Sequence, residues 1–158
     1  MNNLSQMYET DYYQWAKCNV DLLKTGRFSE LDIENLIEEL EGMARSDKNE
    51  LESRLIILIA HLLKWQYQLN QLKEQWQGFE GQSWQRTVNE QRTQLERILN
   101  KMPSLKKSIE QIARESYPYA LKLASKETKL PIKTFPIACP YSLEQLLDED
   151  FFPNESNN

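Results

Sequence analysis

Glu50 to Gln68 reads ELESRLIILIAHLLKWQYQ, and its core, Leu55 to Leu63, is apolar at every position except His61. The run is longer than a typical strand and shorter than a bilayer span. It therefore predicts a central helix buried on most of its circumference. One stripe is Leu51, Leu55, Leu58, Leu62, Trp65 and Leu69. A second is Ile56, Ile59, Leu63 and Tyr67, rotated by roughly a third of a turn. Two stripes call for neighbours on two sides. His61, the only histidine, falls on a flank beside Arg54, Ile57 and Gln68.

Further helices are expected around this one. The first spans Ser5 to Lys24 and stops at Gly26. The second opens near Ser29 to Asp32, which have capping-box spacing, and turns an apolar face of Ile33, Leu36, Ile37, Leu40, Met43 and Ala44 inward. The central helix starts afresh near Ser46 and ends before Gly78. Ser83 is placed to cap a fourth helix, with Trp84, Val88, Leu95, Ile98, Leu99 and Met102 inward and Pro103 as its end. Ser104 opens a fifth, and Pro118 should kink or split it near Ser116. Pro131, Pro136 and Pro140 force an extended path over Leu130 to Tyr141, pressed down by Phe135, Ile137 and Tyr141. Ser142 and Gln145 then form a capping box for a short last helix through Asp148. The fold class is all-α: a single-domain helical bundle of about five to six helices over residues 1–153, with a Pro-rich extended C-terminal segment and a disordered tail at 154–158.

The 158 residues suffice for one core, and 40% apolar with 27% charged residues describes an ordinary soluble chain. Only 4 glycines and 6 prolines argue against a turn-rich β fold. A net charge of -5 argues against nucleic-acid binding through bulk positive charge. Arg97, Lys101, Lys106 and Lys107 make a basic patch around Pro103, but no aromatic lies in it for bases to stack on. Cys18 and Cys139 stand in no metal-like spacing and read as inert thiols. The N-terminus has no basic segment followed by an apolar one, so no signal peptide is expected and the cytoplasm is the expected compartment. No membrane association is expected.

Tyr12-Tyr13-x-Trp15, Glu34-Asn35-Leu36-Ile37-Glu38-Glu39-Leu40-Glu41, His61-Leu62-Leu63-Lys64-Trp65-Gln66-Tyr67 and Ser83-Trp84 resemble the bacterial family called "domain of unknown function 29". Phe135-Pro136, Cys139-Pro140-Tyr141 and Leu143-Glu144-Gln145-Leu146-Leu147-Asp148 resemble that family's ending. The resemblance covers nearly the whole chain. It implies a compact all-helical protein and assigns no activity. The chain departs from the pattern in a longer stretch from Leu69 to Gln82 and in Pro118.

The candidate ligand or partner residues are Glu38, Glu39, Glu41, His61, Trp65, Trp84 and Arg92. His61 suits a metal ligand, a general base or a ligand anchor. The structural alternative is a core-edge histidine bonded to a carboxylate, since a buried imidazole without a partner costs about 1–3 kcal/mol. Paired-metal bundles need a Glu-x-x-His on each of two helices, and here Leu58 stands three before the lone histidine. The paired-metal reading therefore fails its spacing rule, a mononuclear site of His61 with two glutamates stays open as the lesser reading, and no metal site or cofactor is predicted. The glutamates read as a solvated face, with one or two pairing with His61, Arg54 or Arg92. Trp65 and Trp84 fall on apolar stripes, and their indole N–H groups call for polar partners. Arg86 and Arg92 near a helix N-terminus make an anion site conceivable. No phosphate loop, nucleophile elbow, zinc motif or dinucleotide fingerprint is present.

The leading expectation is a non-enzymatic helical binding or interaction module, with a protein partner or a second copy of itself. The acidic, aromatic Leu147 to Phe152 offers one surface for it. The alternative is a metal- or small-ligand-binding enzyme that uses His61 with Glu38, Glu39 or Glu41.

Overall fold

The computed structural model describes residues 3–154. It is all-α: six helices, short 3-10 turns and no strand among the described residues. The helices are α1 (Asn3–Thr10), α2 (Tyr12–Lys24), α3 (Ile33–Gln75), α4 (Gln82–Lys101), α5 (Ile109–Thr128) and α6 (Leu143–Leu147). Contacts gather into two compact units, Met1–Ser46 and Asp47–Asn158. The disordered tail expected at 154–158 lies, apart from Asn154, outside the described residues.

The second and third helices expected from the sequence are one, the 43-residue α3. The expected break near Ser46 has no chemistry to make it. No proline stands between Ile33 and Gln75. Gly42 keeps a negative φ, unlike Gly26, Gly78 and Gly81, so it costs only about 1 kcal/mol of helix propensity. The helix expected to open near Ser29 to Asp32 begins at Ile33, directly after Asp32, with Ser29 in the 3-10 turn Phe28–Glu30 ahead of it. The expected first helix is two, because the Asp11 carboxylate accepts from the Gln14 amide at 3.1 Å and restarts the chain as α2.

In the unit over 47–158, Leu51, Leu55, Leu58, Ile59, Leu62, Leu63 and Leu69 are completely buried. Both predicted stripes of this half of α3 therefore face neighbours. Val88, Leu95, Ile98 and Leu99 of α4 and Ile109, Ile112, Ala120 and Ala124 of α5 complete the core. α4 starts at Gln82 rather than Ser83, from Gly81 in the left-handed region at φ 77. A Cβ on Gly81 would come within 2.9 Å of Leu69 Cδ1 and Trp65 Cζ3, so glycine lets this loop close onto α3.

Ser104 does not open a helix; Pro103–Lys107 is a 3-10 turn and α5 begins at Ile109. Nor does Pro118 split α5. It is exposed, while Tyr117 and Ala120 beside it are buried and the Tyr117 hydroxyl donates to Pro136 O at 2.5 Å. Packing on either side outweighs the roughly 3 kcal/mol cost of an interior proline. In the Pro-rich segment Ile132–Thr134 forms a 3-10 turn, and Phe135 and Tyr141 are buried. Ile137, expected to press inward, is 98% exposed. Ser142 and Gln145 make both bonds of the capping box that opens α6.

Candidate functional site

Within the unit over 1–46, polar anchors decide which face of α3 turns inward. Tyr8, Tyr12 and Trp15 form an aromatic cluster with ring centroids 4.8–5.8 Å apart. The Trp15 indole N–H donates to Asp32 Oδ2 at 2.9 Å, and Asn35 Nδ2 donates to the same oxygen at 2.7 Å. Asn19 Oδ1 accepts the Asp32 amide at 3.1 Å. Burial pushes the Asp32 carboxyl up, but hydrogen bonds from Asn35, Trp15 and Ser5 outweigh it and hold it below its usual range. Glu39 accepts the Tyr8 hydroxyl at 2.5 Å and the Tyr12 hydroxyl at 2.7 Å. These bonds hold the Glu39 carboxyl down, and the same Glu39 bond pushes Tyr8 up to about 12.

Asp32, Asn35 and Glu39 recur every three to four residues, so they share one helix face. Ile33, Ile37 and Leu40 then point the other way. They are 51%, 51% and 65% exposed, and Met43 is 63% exposed. The face expected to enter the core is an open apolar strip. The polar network wins because its buried members, Trp15, Asn19 and Asp32, would each cost about 1–3 kcal/mol without partners. Glu41 flanks the strip, Glu38 lies on the side of α3 away from it, and both are exposed. Glu38 pairs with Arg45 at 3.2 Å, not with His61, Arg54 or Arg92.

The remaining candidates lie in the unit over 47–158. His61 stands on the same helix as the glutamates, not on a neighbour of theirs. It is half-buried, and its Nδ1 lies 2.9 Å from Ile57 O. A carbonyl only accepts, so Nδ1 carries the proton and Nε2 the lone pair. Burial lowers the His61 pKa, nearby Lys64 adds to this, and the Ile57 bond and Glu127 oppose it. The ring is therefore a neutral, backbone-tied imidazole rather than one bonded to a carboxylate. No group of three or more His, Cys, Asp or Glu suited to a metal ion occurs among the described residues.

Trp65 is half-buried against Phe152 at 4.6 Å between centroids. Trp84 is also half-buried rather than core; Lys64 Nζ lies 4.8 Å from its ring and Phe79 meets it edge-on. Arg92 is the most enclosed cation. Its Nε donates to Leu146 O at 2.9 Å and its Nη2 to Gln145 O at 3.0 Å. Its guanidinium lies 5.5 Å from the Phe152 ring. Arg92 thus caps the C-terminus of α6 and does not pair with a glutamate. A cleft of about 380 Å³ beside it is lined by Glu96, Asn100, Lys106 and Glu149 among others, a mixture of both signs. Phe151 and Phe152, expected to face a partner, are half-buried. Both cysteines are free thiols.

Two residues outside the expected set do structural work. Lys64 is buried and donates to Glu127 Oε2 at 2.8 Å. Its place inside an apolar run, three residues after His61, is the signal that marks it. Asp32 was foreseen only as part of a cap; the Asp32-x-x-Asn35 spacing beside an aromatic run is what reveals it as an anchor.

The fold and its site define an all-helical protein with an exposed apolar helix face. A family model described as "Domain of unknown function DUF29" matches residues 7–152, and the chain belongs to that family. No curated protein and no solved structure matches it. No helix among the described residues is long and apolar enough to cross a membrane.

Proposed function

We propose that this chain is a non-enzymatic helical interaction module whose docking surface is the open strip Ile33, Ile37, Leu40 and Met43. The observation that carries the reading is the exposure of these four side chains, each more than half open to solvent at helical spacing. A contiguous apolar strip on a water-facing helix, flanked by charges, is the form of a helix-docking site. Glu34 and Glu41, exposed on the side of Ile37, supply charge along its edge. The alternative, an enzyme or ligand site on His61 with Glu38, Glu39 or Glu41, gains no comparable support, because His61 Nδ1 and the Glu39 carboxylate are already engaged.

A photo-crosslinking amino acid at Leu40, compared with the same group at exposed Glu110, tests the reading in cells. Discrete adducts from position 40 that are absent from position 110 are expected. Equal or no adducts at the two positions would remove the docking surface.

A further inference from the structure

Among the described residues, the one buried side-chain nitrogen or oxygen with no hydrogen-bond partner is Arg92 Nη1. Nε and Nη2 are spent on Leu146 O and Gln145 O, which fixes the guanidinium and leaves Nη1 as its spare donor. A buried donor without an acceptor is destabilising, so an oxygen brought to it gains more than on a solvated cation. Arg92 borders the cleft of about 380 Å³ together with Glu96, Lys106, Glu149 and the apolar Leu99 and Leu147. Ligand pockets run from about 300 to 1,000 Å³, so this one has the size for a small metabolite. Its charges cancel, Arg92 and Lys106 against Glu96 and Glu149. Yet among the described residues none of these four is in an ion pair. Opposite charges line one space without meeting across it.

We propose that this cleft binds a small zwitterion, an α-amino acid with an apolar side chain. Its carboxylate is taken by Arg92 Nη1 and Lys106, its ammonium by Glu96 and Glu149, and its side chain by Leu99 and Leu147. The site lies within the unit over 47–158 and owes nothing to the docking reading above. Charge rejects the simpler ligands. A bare carboxylate gains Arg92 and Lys106 but meets Glu96 and Glu149, and a bare amine meets the reverse. Glu149 also controls entry. It borders both this cleft and a second one of about 320 Å³, and Arg92 borders both as well. Burial works against the Arg92 charge, while Asp148 and Glu149 support it. Glu149 is exposed and unpaired, so it is the side chain that turns aside to let a carboxylate reach the buried Nη1. The ligand's own ammonium draws it away, which makes the ammonium obligatory.

Titration calorimetry of the full chain tests this with three probes: free leucine, isocaproate (leucine without its ammonium) and isoamylamine (leucine without its carboxylate). An amino acid has few atoms to bind with, so a dissociation constant of roughly 0.1–1 mM is expected for leucine. Isocaproate and isoamylamine should each bind about tenfold more weakly, or worse. Glu149→Gln removes the charge that rejects a bare carboxylate and should bring isocaproate to within about threefold of leucine. Lys106→Met should weaken leucine and isocaproate alike. Glu149 and Lys106 are both exposed, so circular dichroism and exchange protection at the Leu146 amide should stay as in the wild type. No binding of leucine up to about 10 mM, tenfold above the weakest constant expected, overturns the proposal. So does isocaproate binding as tightly as leucine in the wild type, a Glu149→Gln variant that keeps the wild-type ratio, or leucine binding indifferent to Lys106→Met.

Discussion

Replacing Arg92 with Met should release the C-terminal segment without unfolding the rest of its unit. α6 has five residues, too few to satisfy its own last carbonyls, and Arg92 accepts that task through Nε on Leu146 O at 2.9 Å and Nη2 on Gln145 O at 3.0 Å. Hydrogen bonds from a charged donor contribute about 1.5–3 kcal/mol each, so the two give roughly 3–6 kcal/mol. The stacked Phe152 ring adds about 0.5–1 kcal/mol. Against this stands desolvation. Burial lowers the Arg92 pKa, opposed by Asp148 and Glu149, and its Nη1 is buried with no hydrogen-bond partner among the described residues, at about 1–3 kcal/mol. The net loss in Arg92→Met is then about 2–3 kcal/mol. At 1.4 kcal/mol per factor of ten, local opening should become roughly thirty- to hundredfold more frequent. Hydrogen exchange reads it at the Leu146 and Asp148 amides, which are bonded to Ser142 O and Glu144 O at 2.9 Å. Exchange in α5 should stay as in the wild type. Arg92→Lys, which keeps a charge but loses the fork, should fall between. Exchange at Leu146 and Asp148 within about threefold of wild type in Arg92→Met, well under one factor of ten, would refute the account.

Three further predictions follow from the local geometry. Gly81→Ala should destabilise the unit over 47–158 by about 2–3 kcal/mol, from its left-handed backbone and the contacts with Leu69 and Trp65. Gly78→Ala, at φ 87 with no heavy atom within 4 Å of its Cβ, should lose only about 1 kcal/mol, and urea unfolding of the two variants isolates the contact. His61 is held neutral by burial, so the unfolded chain binds its proton more readily. Its contribution is complete above 6.5, the ordinary histidine value, and is lost as pH falls through the window down to the lowered folded value. Urea midpoints between about pH 5 and 8 should slope accordingly and flatten in that window in His61→Gln; an unchanged slope would assign it to other groups. Asp32→Ala leaves the Trp15 indole N–H buried without its acceptor, at about 1–3 kcal/mol, read as loss of exchange protection in α2. Because hydrogen bonds hold the Asp32 carboxyl below its ordinary 3.8, the stability it confers is present above that value and fades as pH falls through the folded one.

The family, the all-α class, the two buried stripes of Leu51 to Leu69 and the α6 capping box were legible in the sequence because each rests on local spacing. What was not legible shares one cause. Ile33, Ile37 and Leu40 have the same spacing as Leu51, Leu55 and Leu58, yet the first three are open and the second three closed. Periodicity says that a face is apolar; it does not say that a neighbour covers it. On the first half of α3 the deciding groups are Asp32 and Glu39, whose partners Trp15, Tyr8 and Tyr12 stand 17 to 31 residues earlier. A hydrogen bond over that separation leaves no periodic trace. The glutamates were singled out as possible ligands, and one of them, Glu39, is instead the hinge of the side-chain network that turns the apolar strip outward. Glu38 lies on the exposed side of the helix with Arg45. The acidic run ENLIEELE therefore carries two kinds of information on two sides of one helix: an inner side that fixes the rotation, and an outer side whose Ile37 and Leu40 stay open to solvent.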